Sequence, residues 1–179
     1  MDIIEYYMSP LYKLRRKLAQ SIVPKQRVYL DTKFWNTFCD IELGQVRSGS
    51  AFDVLVTLRG LCGAGRVVCP VEYNVLNEVL RQRLPEKRAA TAALVDELSA
   101  GTVIAAAPDR VFLETLRFAQ SAMRNEADGP PPIDEVWTRP AFAIGHLTPD
   151  NPGLSESDYA WVVELTHEQL WDLSFSDIV

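Results

Sequence analysis

Val28-Tyr29-Leu30-Asp31-Thr32 decides how this chain is read, because a short β-prone run there ends in an aspartate and a hydroxyl residue. It leads straight into Phe34-Trp35-Asn36-Thr37-Phe38, the body of a predicted helix from Thr32 to about Glu42 with Thr32 as its N-cap. A strand that turns into a helix puts its last residue where open α/β sheets place their ligands. Asp31 is therefore the first candidate for a site.

The same alternation continues on both sides. Residues 10–20 carry Leu11, Leu14 and Leu18 at helical spacing, and Pro24 ends that helix before a strand at 27–30. A helix over 50–61, with Leu55, Leu58 and Leu61 on one stripe, stops at Gly60, Gly63 and Gly65. Arg66-Val67-Val68-Cys69-Pro70 is a second β-prone run, and helical periodicity resumes over 71–82 through Val75, Leu76, Val79 and Leu80. An alanine-rich helix at 85–100 precedes a third β-prone run at 102–106 and a helix at 108–123. Strands alternating with helices predict an α/β fold, a mostly parallel sheet covered on both faces.

From 125 to 152 the pattern fails: Gly129-Pro130-Pro131-Pro132, Pro140, Pro149 and Pro152 predict an irregular insertion or a lid. Ser155 then caps a helix through Tyr159, Trp161, Val162 and Leu165, and 173–179 begins another. The division expected is a helical extension at 1–26 and one domain at 27–179 that holds the insertion at about 125–153.

A chain of 179 residues, 47% of them hydrophobic, suits one globular domain. Its net charge of -6 argues against a protein that coats nucleic acid by charge alone. Lys13, Arg15, Arg16, Lys17, Lys25 and Arg27 still gather near the N-terminus, as a solvated helix face or a phosphate-binding one. Cys39, Cys62 and Cys69 lack CxxC spacing and histidine partners, so they read as small buried hydrophobes in a reducing cytoplasm. No leader segment and no membrane-length apolar run is visible, so a soluble cytoplasmic protein is expected. His146 and His167 read as surface or packing residues, and Trp35, Trp137, Trp161 and Trp171 as core, with base stacking as the alternative.

The chemistry rests on carboxylates. Glu78 lies about two turns into the helix after the second strand, and neighbouring strands would let that helix turn it toward Asp31. Two acids held close repel unless a divalent cation neutralises them, and oxygen-only ligands suit Mg²⁺ or Mn²⁺. Other chemistries lack their residues. A haloacid-dehalogenase phosphatase needs a second aspartate where Lys33 stands, no phosphate-binding glycine loop follows a strand, and no nucleophile elbow is present.

Tyr29-Leu30-Asp31-Thr32, the Val67-Val68-Cys69-Pro70 strand leading to Glu78, and Leu173-Ser174-Phe175-Ser176-Asp177-Ile178 together resemble the PIN-domain ribonucleases, which include toxins of bacterial toxin/antitoxin pairs. The likeness covers mainly residues 27–106 and the last few positions. It implies a PIN-like three-layer fold and Mg²⁺- or Mn²⁺-dependent cleavage of RNA. On that resemblance Asp31, Glu78 and Asp177 are the metal-binding acids, with Asp158 of Leu154-Ser155-Glu156-Ser157-Asp158 as the rival third acid. It further implies a small antitoxin protein as partner and a homodimer as the assembly. The family usually has asparagine where this chain has Lys33, and its fourth acid would lie past Val179. A truncated or inactive PIN-like module that acts through protein–protein contact is thus the second expectation, with the helix of Leu11, Leu14 and Leu18 as a docking element.

Overall fold

The structure is a computed structural model that describes residues 9–124, 136–144, 149–151 and 153–179. It is mostly helical, with five two-residue strands among the described residues. Helix α1 (Pro10–Ile22) starts at a Ser9 cap, whose hydroxyl accepts the Tyr12 N–H at 3.2 Å, and Pro10 fills a position that has no helical N–H to lose. Strand β1 (Gln26–Arg27) follows, then α2 (Thr32–Glu42) and α3 (Ser50–Gly63). Strands β2 (Val67–Val68) and β3 (Val71–Glu72) come before α4 (Tyr73–Leu80) and α5 (Pro85–Ser99). After β4 (Val103–Ile104) the chain forms α6 (Ala107–Arg124), β5 (Trp137–Thr138), α7 (Pro140–Ile144), α8 (Glu156–Trp171) and α9 (Phe175–Ile178).

The strands form two small sheets. β1 pairs with β2 in parallel, Gln26 opposite Val67 and Arg27 opposite Val68. β3 pairs with β4 in parallel, and β5 closes the far side of β4 antiparallel. One extended run, 67–72, thus serves both sheets and changes partner around Pro70, which has no N–H for a ladder.

Alternate residues along this run enter different cores, as the two-residue period of a strand requires. Val67, Cys69 and Val71 join Trp35, Phe38, Leu55, Leu76, Val95, Leu98 and Phe175, from α2, α3, α4, α5 and α9. Val68 and Ile104 join Leu18, Ile22, Trp137, Phe142 and Trp171, from α1, β5, α7 and α8. The strands therefore lie between two helical layers, and the expected mixture of helix and parallel strand is present. Strand length is the difference from expectation: each ladder is two residues long, where runs of four or five were predicted.

Three other expectations change. Val71 and Glu72 were assigned to a helix, but they are β3; that helix starts at Tyr73. The irregular stretch 125–152 contains β5 and α7, and Trp137, Thr138, Pro140, Ala141, Phe142 and Ala143 are all buried. Packing of Trp137 and Phe142 into the second core offsets the local bias of the prolines. Residues 125–135, 145–148 and 152, including His146 and Gly129-Pro130-Pro131-Pro132, lie outside the described residues. Finally, Asp31 and not Thr32 is the N-cap residue of α2.

Gly101 shows a close approach. It follows Ala100 in a left-handed turn at φ 66°, and a Cβ there would lie 2.6 Å from Arg139 Nη1. The same Nη1 donates to the Ala100 carbonyl at 2.6 Å, and the guanidinium lies over the Trp171 ring at 5.9 Å, joining the start of β4 to the end of α8. On the surface, Arg59 of α3 ties Glu97 of α5 to Glu42 of α2.

His167 is buried in the second core, edge-on to Phe142 at a ring distance of 5.4 Å, and its Nδ1 has no hydrogen-bond partner. Burial, and secondarily the charge of Arg15, pushes its pKa below the ordinary histidine value. A pKa depressed on folding means that the unfolded chain binds the proton more readily, so stability is held above about pH 6.5 and falls as pH drops through it. Thermal melts between pH 7.5 and 5 should show a falling midpoint, and the fall should shrink in His167→Gln; an unchanged slope in that variant would remove His167 as the cause.

Candidate functional site

The candidate site lies at the carboxyl ends of β1 and β3. Beyond β1, Val28 N–H still donates to the Val68 carbonyl at 3.0 Å, so the chain stays extended toward Asp31. Asp31 has extended dihedrals, φ -66° and ψ 153°, and its carbonyl accepts Phe34 N–H at 2.8 Å as α2 begins. Trp35, 1% exposed, anchors this first turn in the core. The Asp31 carboxylate is exposed and makes no capping bond. An aspartate at an N-cap ordinarily spends its side chain on the first turn's N–H groups; this one leaves its oxygens to solvent.

Glu72 repeats the arrangement. It ends β3, is the extended N-cap of α4, is exposed, and makes no capping bond. Sequence reasoning missed Glu72 because it absorbed Val71 and Glu72 into the helix. The available signal was an acid between a β-prone pair and a helical run, the same signature that singled out Asp31.

Glu78 sits on α4, whose Val75, Leu76 and Val79 are buried while Glu78 is exposed. Past the end of α4, Gln82 Nε2 donates to Asn36 Oδ1 of α2 at 3.4 Å. Lys33 is exposed, and its carbonyl accepts the Thr37 hydroxyl at 2.8 Å.

The two candidates for a third acid are engaged elsewhere. Asp177 closes a capping box at the start of α9: its Oδ2 accepts Ser174 N–H at 2.9 Å and Ser174 Oγ–H at 2.6 Å, while Ser174 Oγ accepts Asp177 N–H. These hydrogen bonds, first that of the Ser174 side chain, hold the Asp177 carboxyl below the usual range. Asp158 pairs with Ser155 at the start of α8, where the hydroxyl donates to Oδ2 at 2.6 Å and accepts Asp158 N–H at 3.2 Å. A leucine-serine-x-x-aspartate spacing is thus also a helix-start spacing, which is why it occurs twice in this chain.

Helix α9 is held by a further acid. Asp96 of α5 accepts Phe175 N–H at 2.7 Å and Ser176 N–H at 2.8 Å, together with the Ser176 hydroxyl. Asp96 thereby satisfies N–H groups that a helix start leaves open. Its negative charge also suits the positive end of the helix dipole. The arrangement fixes α9, and with it Asp177, against α5.

Among the described residues, no three histidine, cysteine, aspartate or glutamate side chains gather closely enough to hold a metal ion. Asp31 and Glu72 are both exposed acids at helix starts past a strand, and Asp177 and Asp158 do not join them in a cage among the described residues. No helix among the described residues is long and apolar enough to cross a membrane. Compared with protein-family models, curated proteins and solved structures, the chain matches none.

Asp96→Ala should leave the α9 N–H groups without their acceptor and lower stability by about 1–3 kcal/mol in urea unfolding. Asp96→Asn should lose less, because its amide oxygen can still accept. Equal losses in the two variants would show that the carboxylate charge, and not acceptance by one oxygen, holds α9.

Proposed function

We propose that the chain is a divalent-metal-dependent endoribonuclease of PIN-like architecture. The observation that carries the reading is Asp31: an exposed carboxylate at the extended N-cap of α2, past β1, with no capping bond, an arrangement that Glu72 repeats at the N-cap of α4. Parallel pairing of β1 with β2 and of β3 with β4, and helices on both sides of the strands, support the three-layer PIN-like arrangement. Hard carboxylate oxygens fit Mg²⁺ or Mn²⁺, and Asp31 and Glu78 would be its first protein ligands. Bound there, the ion would polarise a phosphodiester and lower the pKa of a water. The chain's own part is to hold Asp31 by the start of α2 and Glu78 by the buried face of α4. Asp177 or Asp158 would have to give up its serine partner to join them as the third acid.

A second reading has its own support. Asp177 and Asp158 are spent on helix starts, and no group of three candidate ligands gathers among the described residues. Those facts favour a PIN-like module without catalysis that works by binding another protein. The nuclease reading brings RNA as substrate, an antitoxin-like protein and a second copy of the chain as partners, and the cytoplasm as location, all by resemblance.

Calorimetry with Mn²⁺ at low salt and neutral pH separates the two readings. The parent should bind, a folded Asp31→Asn variant should bind at least tenfold more weakly, and cleavage of a mixed RNA pool should vanish in the same variant. Absence of binding in both proteins would leave the interaction module.

A further inference from the structure

Two cysteines share one backbone carbonyl at the end of α3. The chain leaves α3 at Gly63, turns through Gly65, and returns as β2, so that Cys62 in the last helical turn comes beside Cys69 just past the strand. One carbonyl holds them both: Leu98 O accepts Cys69 N–H at 2.9 Å and the Cys62 thiol at 3.5 Å. Cys62 packs against the core cluster that contains Cys69, and each thiol shifts the titration of the other. Cys62 is half-buried, whereas Cys69 is 0% exposed. Both are free, and Cys39, the remaining cysteine, faces the Lys87 carbonyl on another part of the core.

We propose that Cys62 and Cys69 form an intramolecular disulfide when the chain meets a peroxide, an oxidation site that staples the end of α3 to the extended run feeding the strand edge. The Cys62 sulfur attacks one peroxide oxygen, the O–O bond breaks, and one water leaves a sulfenic acid on Cys62. The Cys69 sulfur then attacks that sulfur, the S–O bond breaks, and a second water carries off the oxygen. Two thiols lose two electrons and two protons in all, and one peroxide becomes two waters.

Burial pushes the Cys69 thiol up to about 12 and also raises Cys62, so the thiolate is scarce at neutral pH. The pair therefore rests reduced and closes slowly, faster as pH rises. Treatment of the folded chain with hydrogen peroxide at pH 7 and pH 9, followed by unfolding, alkylation and peptide mapping, tests the proposal. The parent and Cys39→Ser should each lose two hydrogens and yield a linked Cys62–Cys69 peptide, at least several-fold faster at pH 9. Cys62→Ser, at the half-buried position that best tolerates change, should yield none. The proposal is overturned by a link to Cys39, by a disulfide between two chains, by Cys62 stopping at sulfinic acid, or by Cys62 and Cys69 both remaining alkylatable.

Discussion

Pairing of the single extended run 67–72 on both of its sides is the constraint on which the rest of the structure depends. Its first half takes β1 and its second half takes β4, with Pro70 at the change of partner. Parallel strands need long crossovers, so α2 and α3 must occupy the return from β1, and α4 and α5 the return from β3. Strand alternation then sends Val67, Cys69 and Val71 into one core and Val68 into the other, fixing which helices cover which face. From these strands the chain enters α4 directly after β3, and α2 through residues 28–31 after β1. An acid at either helix start is held at the edge of the molecule by buried neighbours, Trp35 in one case and Val75 and Leu76 in the other.

The acids divide by what their oxygens do. Asp96, Asp158 and Asp177 are spent on helix starts, where serine hydroxyls and backbone N–H groups consume them. Asp31 and Glu72 stand at helix starts and make no such bond. A carboxylate at a helix start that makes no capping bond gives its helix only the weaker interaction with the helix dipole. On that difference, more than on the spacing of the acids in sequence, the proposed metal-ligand reading rests.

Most helices were legible because their apolar stripes were long: α1 through Leu14 and Leu18, α3 through Leu55 and Leu58, α4 through Val75, Leu76 and Val79. Asp31 was legible for a related reason, since Val28-Tyr29-Leu30 ahead of it is β-prone and Trp35 behind it marks a buried helix. Two-residue strands carry no period at all. β5 was hidden among prolines and is held by its antiparallel pairing to Val103 and Ile104, a partnership far away in sequence. Glu72 was hidden by the start of α4, and the engagement of Asp177 was hidden because a capping box and a metal-binding motif share one spacing. The contact between Cys62 and Cys69 depends on how tightly the chain turns after α3 and on the Leu98 carbonyl from a third element.

Paramagnetic broadening of backbone amide signals by substoichiometric Mn²⁺ tests the central claim, that the ends of β1 and β3 form the metal-facing edge. The account predicts selective loss of signals around Asp31, Glu72 and Glu78, with the amides of α8 retained. Broadening centred on other acids, or none at concentrations that saturate a weak site, would contradict it.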